Sequence, residues 1–128
     1  MRRKENRTLT KAEMEIMNFL WDMDEGGTVR DVLQCYDEPQ PAYTTTATFL
    51  KILTQKGFVK AEKREKEGKT FFFRPLISRD EYRRQVVEEV KDSFFGGSVK
   101  SLVSFFVQEE KMSESDLKEL LEMVNLKD

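Results

Sequence analysis

Apolar residues recur along this chain with two different periods, and the changes of period divide it into elements. Ala12, Ile16, Phe19 and Leu20 fall at i, i+4, i+7 and i+8, one face of a helix. Thr10, with Glu13 three residues on, is a capping-box start, and Gly26-Gly27 stops a helix that runs to about Met23. A short second helix begins at Thr28, with Val29, Val32, Leu33 and Tyr36 on one side, and Pro39 and Pro41 break the pattern. A third is predicted from near Tyr43 to Lys56, with Gly57 placed to end it in a left-handed conformation. Its faces differ. Phe49, Leu50 and Leu53 form the apolar side, whereas Thr44, Thr48, Lys51 and Gln55, at i, i+4, i+7 and i+11, form a polar stripe.

The period then shortens. Phe58 to Glu62 and Thr70 to Arg74 are β-rich runs flanking the polar stretch Lys63 to Lys69, which predicts a hairpin with a charged tip. Pro75 ends it, and helical spacing returns. Ser78 with Glu81 makes a second capping box, ahead of Tyr82, Val86, Val90 and Phe94 at four-residue intervals, and Gly96-Gly97 closes that helix. Two further amphipathic helices are expected. One starts at Ser98 and carries Val99, Leu102, Val103 and Phe106; the other is capped by Ser113 and carries Leu117, Leu120, Leu121 and Val124. The pattern therefore predicts a mainly α protein with a small β-hairpin. Three helices followed by a hairpin is the order of a winged helix-turn-helix DNA-binding domain, here residues 1–76, followed by a C-terminal helical dimerisation segment, residues 77–128.

Composition narrows the function more than the fold. With one cysteine, Cys35, and no histidine, the chain builds no intrachain disulfide, no Cys/His zinc site and no histidine-based triad. We expect no metal, no cofactor and no enzyme. No run approaches the roughly 20 apolar residues of a membrane span, and the start, Met1-Arg2-Arg3-Lys4-Glu5, leads into no apolar signal core, so no membrane insertion and a cytoplasmic location are expected. The net charge of −2 looks unsuited to nucleic acid until it is divided along the chain. Residues 1–7 carry +3, residues 8–38 carry −6, residues 39–75 carry +5 and residues 76–128 carry −4. The basic charge sits where the third helix and the hairpin are.

That placement assigns roles. In a winged helix the third helix enters the major groove and the wing follows the backbone. Tyr43, Thr44, Thr45 and Thr46 open that helix, where hydroxyls and first-turn N–H groups suit a phosphate. Thr48 and Lys51, further along the stripe, suit base edges: Lys for guanine acceptors, the Thr methyl for a thymine methyl. Lys63, Arg64, Lys66, Lys69 and Thr70 on the wing, and Arg2, Arg3, Lys4 and Arg7 as an arm, suit phosphates. The tail argues for two copies. Val86, Val90, Phe94, Leu102, Val103, Phe106, Leu117, Leu120, Leu121 and Val124 are more apolar surface than three short helices can bury alone, and a symmetric homodimer covers it. The competing reading is a winged-helix protein–protein interaction module with no sequence-specific DNA binding.

The residues also resemble the penicillinase-repressor family (BlaI/MecI-type winged-helix regulators) from Leu9 to Val124. The similarity is carried by Leu9-Thr10-Lys11-Ala12-Glu13, Leu20-Trp21, Tyr43-Thr44-Thr45, Lys56-Gly57-Phe58, Glu65 to Gly68 with Phe71, Phe73, Arg74 and Pro75, and Phe94-Phe95-Gly96-Gly97-Ser98. The resemblance implies a dimeric repressor of a pseudo-palindromic double-stranded DNA operator. It also implies a membrane sensor metalloprotease system as partner, and inactivation by proteolysis in the helix after Gly96-Gly97. By position the cut bond is Phe105-Phe106.

Overall fold

The computed structural model describes residues 8–64 and 70–126, the last three by backbone alone. Its element order is α1 (Lys11–Asp22), α2 (Val29–Leu33), α3 (Tyr43–Lys56), β1 (Val59–Lys63), β2 (Phe71–Pro75), α4 (Arg79–Phe95), α5 (Val99–Glu110) and α6 (Glu114–Leu126). These form two compact units that divide inside α4, between Arg84 and Gln85. Among the described residues no helix is long and apolar enough to cross a membrane.

Helix starts follow the local chemistry of the sequence. In α1 the Thr10 amide donates to Glu13 Oε1 at 2.9 Å, and the Glu13 amide donates to Thr10 Oγ1 at 3.2 Å. The same reciprocal box joins Thr28 to Asp31 at α2, Ser78 to Glu81 at α4 and Ser113 to Asp116 at α6. Each satisfies two N–H groups that a helix start otherwise leaves unpaired. Gly57 ends α3 with φ +89°, as its position predicts.

The first unit is built on a core of Ile16, Met17 and Leu20 from α1, Val32 from α2, Leu50 and Leu53 from α3, and Phe58, Val59, Phe72 and Phe73 at the hairpin. β1 and β2 pair antiparallel, with Ala61 opposite Phe73 and Glu62 opposite Phe72. α1 ends before Gly26-Gly27, at Asp22 with Met23 as its extended C-cap, so the glycine pair does not cap it and serves the hairpin instead. Gly27 and Phe73 exchange two backbone hydrogen bonds, of 3.1 and 2.8 Å, so a single residue acts as a third strand against the free edge of β2. A Cβ on Gly26, whose φ is +108°, would lie 2.1 Å from the Phe73 carbonyl oxygen. The start of α4 closes the unit. Tyr82 is buried, its ring edge-on to Phe58 and its hydroxyl accepting from the Leu9 amide at 2.8 Å, while Trp21 Nε1 donates to the Ile77 carbonyl at 2.9 Å.

The second unit contrasts with the first. None of its described side chains is buried. Val86, Val90, Leu102 and Leu117 are half-covered; Phe94, Val103, Phe106, Leu120 and Leu121 are exposed, Phe94 by 77%. Phe105 is exposed too, although its ring lies 5.5 Å from that of Phe95. The side chain of Val124 lies outside the described residues.

Candidate nucleic-acid interface

The third helix carries the expected division of faces. Thr46, Leu50 and Leu53 turn into the core, and Tyr43, Thr44, Thr45, Thr48, Lys51 and Gln55 are exposed. Its N-cap is Ala42, which offers no side-chain hydrogen bond, whereas a side chain caps the start of each other described helix, α1, α2, α4, α5 and α6. The first-turn N–H groups of α3 are thus left for a partner from outside, beside two exposed threonine hydroxyls and the positive end of the helix dipole.

Thr46 departs from expectation. It is 1% exposed, and its hydroxyl donates to the Ala42 carbonyl at 3.2 Å. Its polar group is satisfied within its own helix, so it packs as a small apolar residue and does not face outward with Thr44 and Thr45.

The hairpin sets the second wall. Arg64 is held in place: its guanidinium carbon lies 3.6 Å from the Phe72 ring centroid, and Nη2 is 3.7 Å from Glu62 and 4.0 Å from Glu25. Arg74 donates to both Glu62 oxygens at 3.2 Å, and this hydrogen bonding, aided by the charges of Arg64 and Lys60, holds the Glu62 carboxyl below the usual carboxylate range. Arg64 is thus partly neutralised by its neighbours. Thr70 is half-exposed at the base of the wing and Lys63 is exposed. Lys66 and Lys69, and the arm of Arg2, Arg3, Lys4 and Arg7, lie outside the described residues.

Between α3 and the hairpin runs a groove of about 690 Å³. Val29, Ala47, Ala61 and Phe73 make its apolar surface; Lys51, Gln55, Thr70 and the rings of Tyr43 and Phe71 also line it. Arg30, absent from the expected site, stands beside it with its guanidinium carbon 5.9 Å from the Tyr43 ring centroid. Nothing local in the sequence signals that approach, because it depends on how α2 packs against α3.

An ion pair with a buried carboxylate and a half-buried lysine supports α3. Lys56 Nζ lies 2.8 Å from Oε1 of Glu13, which is 3% exposed. Burial alone would raise the Glu13 carboxyl, but the hydrogen bonds from Lys56 and from the Thr10 amide outweigh it and hold the group below the usual carboxylate range. Cys35 is exposed; partial burial and the nearby Asp31 push its thiol up, away from the reactive thiolate.

The chain is 26% identical over 121 residues to the methicillin resistance regulatory protein MecI of Staphylococcus aureus (strain N315), covering 93% of this chain and 94% of that one. It is 23% identical over 117 residues to the penicillinase repressor of Staphylococcus aureus, covering 91% and 90%, and 24% identical over 116 residues to that of Bacillus licheniformis, covering 91% and 88%. The model of the penicillinase repressor family matches residues 9–125, which include the hairpin and the starts of α1 to α6. The chain belongs to the penicillinase repressor family.

Proposed function

We propose that this chain represses transcription as a homodimer on a pseudo-palindromic operator, residues 1–76 holding DNA and residues 77–128 holding the partner copy. Family membership makes it a DNA-binding regulator of transcription and not an enzyme. The observation that carries the finer reading is α3: a helix start with no capping side chain, followed by an exposed run of Thr44, Thr48 and Lys51. Phosphate at the N–H groups sets the register, and Thr48 and Lys51 then reach base edges.

The tail supports pairing. Exposed Phe94, Val103, Phe106, Leu120 and Leu121 exceed the scattered apolar exposure of a monomer, and two-fold symmetry covers the same patch on both copies. Proteolysis at Phe105-Phe106 would cut α5 in its middle and detach α6, so a signal from a membrane sensor metalloprotease system would release DNA by dissolving the dimer. A dimer that loses one half-site loses several kcal/mol of operator affinity.

A mobility-shift series on double-stranded fragments from the gene's own locus tests the reading. Purified protein is expected to shift one fragment specifically, with log K falling against log salt at a slope of about −4 per half-site for four to five phosphate contacts. Lys51→Ala and Thr48→Ala should relax base preference, while Lys66→Ala should weaken binding alike on every sequence. No salt-sensitive specific shift would favour the protein–protein module, and equal losses on specific and random DNA for all three variants would contradict the assigned roles.

A further inference from the structure

We propose that the groove between α3 and the hairpin binds a small aromatic carboxylate, which competes there with DNA. The competition rests on the DNA-binding reading above; the binding does not. The volume of about 690 Å³ lies within the range of small-molecule sites, about 300 to 1,000 Å³, and the mix of an apolar floor with a few polar groups is typical of them. The floor of Val29, Ala47, Ala61 and Phe73 suits a flat ring. Tyr43 and Phe71 stand 47% and 48% exposed at the groove, a large aromatic area that a stacked ring would cover.

Charge fixes the rest of the ligand. Lys51 lines the groove, Arg30 stands over the Tyr43 ring, and no carboxylate is among the described lining residues. The Gln55 amide and the Thr70 hydroxyl add donors. An anionic head on an apolar body is the complement of such a site. A phosphate backbone crossing above would leave the apolar floor unfilled, whereas an aromatic acid would fill it and occupy Lys51. Ligand and operator then cannot both hold that lysine, and by linkage each weakens the other.

The full chain labelled at alanine methyls reports binding directly. Its alanines are residues 12, 42, 47 and 61, none in the tail, so a ligand adsorbed on the exposed tail moves none of them. Titration with 1-naphthoate is expected to give saturable shifts at Ala47 and Ala61 while Ala12 stays fixed. Lys51→Met should weaken naphthoate roughly twofold to fivefold, the effect of one partly solvated charge pair, and leave the neutral 1-naphthamide unchanged. Saturating naphthoate should reduce operator affinity. Absent shifts, shifts spread equally to Ala12, or equal effects of Lys51→Met on acid and amide would overturn the site. Groove shifts with undiminished operator affinity would overturn the competition. A protein that binds naphthoate in the groove yet shifts no DNA would overturn the repressor reading and leave the ligand site standing.

Discussion

The pairing of Lys56 with Glu13 ties the end of α3 to the start of α1 at 2.8 Å. A buried carboxylate stripped of its cation costs about 3 to 5 kcal/mol where burial is complete. Lys56 is 24% exposed, so Lys56→Met is expected to destabilise the first unit by less, about 2 kcal/mol, read as a lowered denaturant midpoint at unchanged m. The pH dependence has a definite sign. Glu13 has a folded pKa below its unfolded value of about 4.3, so its contribution is complete above that value and is lost as pH falls through the folded pKa. Acid melting of the wild type should therefore be steeper below about pH 4.3 than that of Glu13→Gln, and superimposable curves would remove the pair from this role. Thr46 carries a related lesson: beside two exposed threonines it reads as surface, and only its internal hydrogen bond makes it core.

Among the elements, those set by local chemistry were legible and those set by distant contacts were not. The Thr10, Ser78 and Ser113 starts, the Gly57 stop and the Thr44-Thr48-Lys51-Gln55 stripe all follow from spacing, because caps and periodicity act within one or two turns. The single-residue strand at Gly27 has no alternation to read, and a Gly-Gly pair after a helix looks like a stop. The ion pair of Glu13 and Lys56, and the stacking of Arg64 on Phe72, join residues whose meeting depends on the finished fold. Two glycines separate these cases by experiment. Gly26→Ala places a methyl group against the Phe73 carbonyl as well as straining a positive φ, and should cost about 3 kcal/mol or more while detaching the Gly27 bridge. Gly57→Ala meets nothing within 4 Å and bears only left-handed strain, about 1 kcal/mol. Equal thermal shifts for the two variants would show that the third strand contributes nothing to the wing.

For the whole molecule, the contrast between a well-filled first unit and a second unit with no buried described side chain supports the proposed pairing of two copies. On the dimeric reading proposed above, a monomer would contact one half-site, while a dimer would contact two and gain the second at high effective concentration. Phe106 is 58% exposed on α5, so Phe106→Glu alters little inside one copy but sets like charges against each other in a symmetric interface. Sedimentation at micromolar concentration should show a dimer for the wild type and a monomer for the variant, with the thermal transition of the first unit unchanged. Salt then separates lost pairing from damaged DNA contacts: losing the dimer should roughly halve the slope of log K against log salt, from about −8 towards −4, because half the phosphate contacts go. A variant that stays dimeric, or a monomer that keeps both the wild-type slope and the wild-type affinity, would mean that the apolar tail does not hold the two reading heads together.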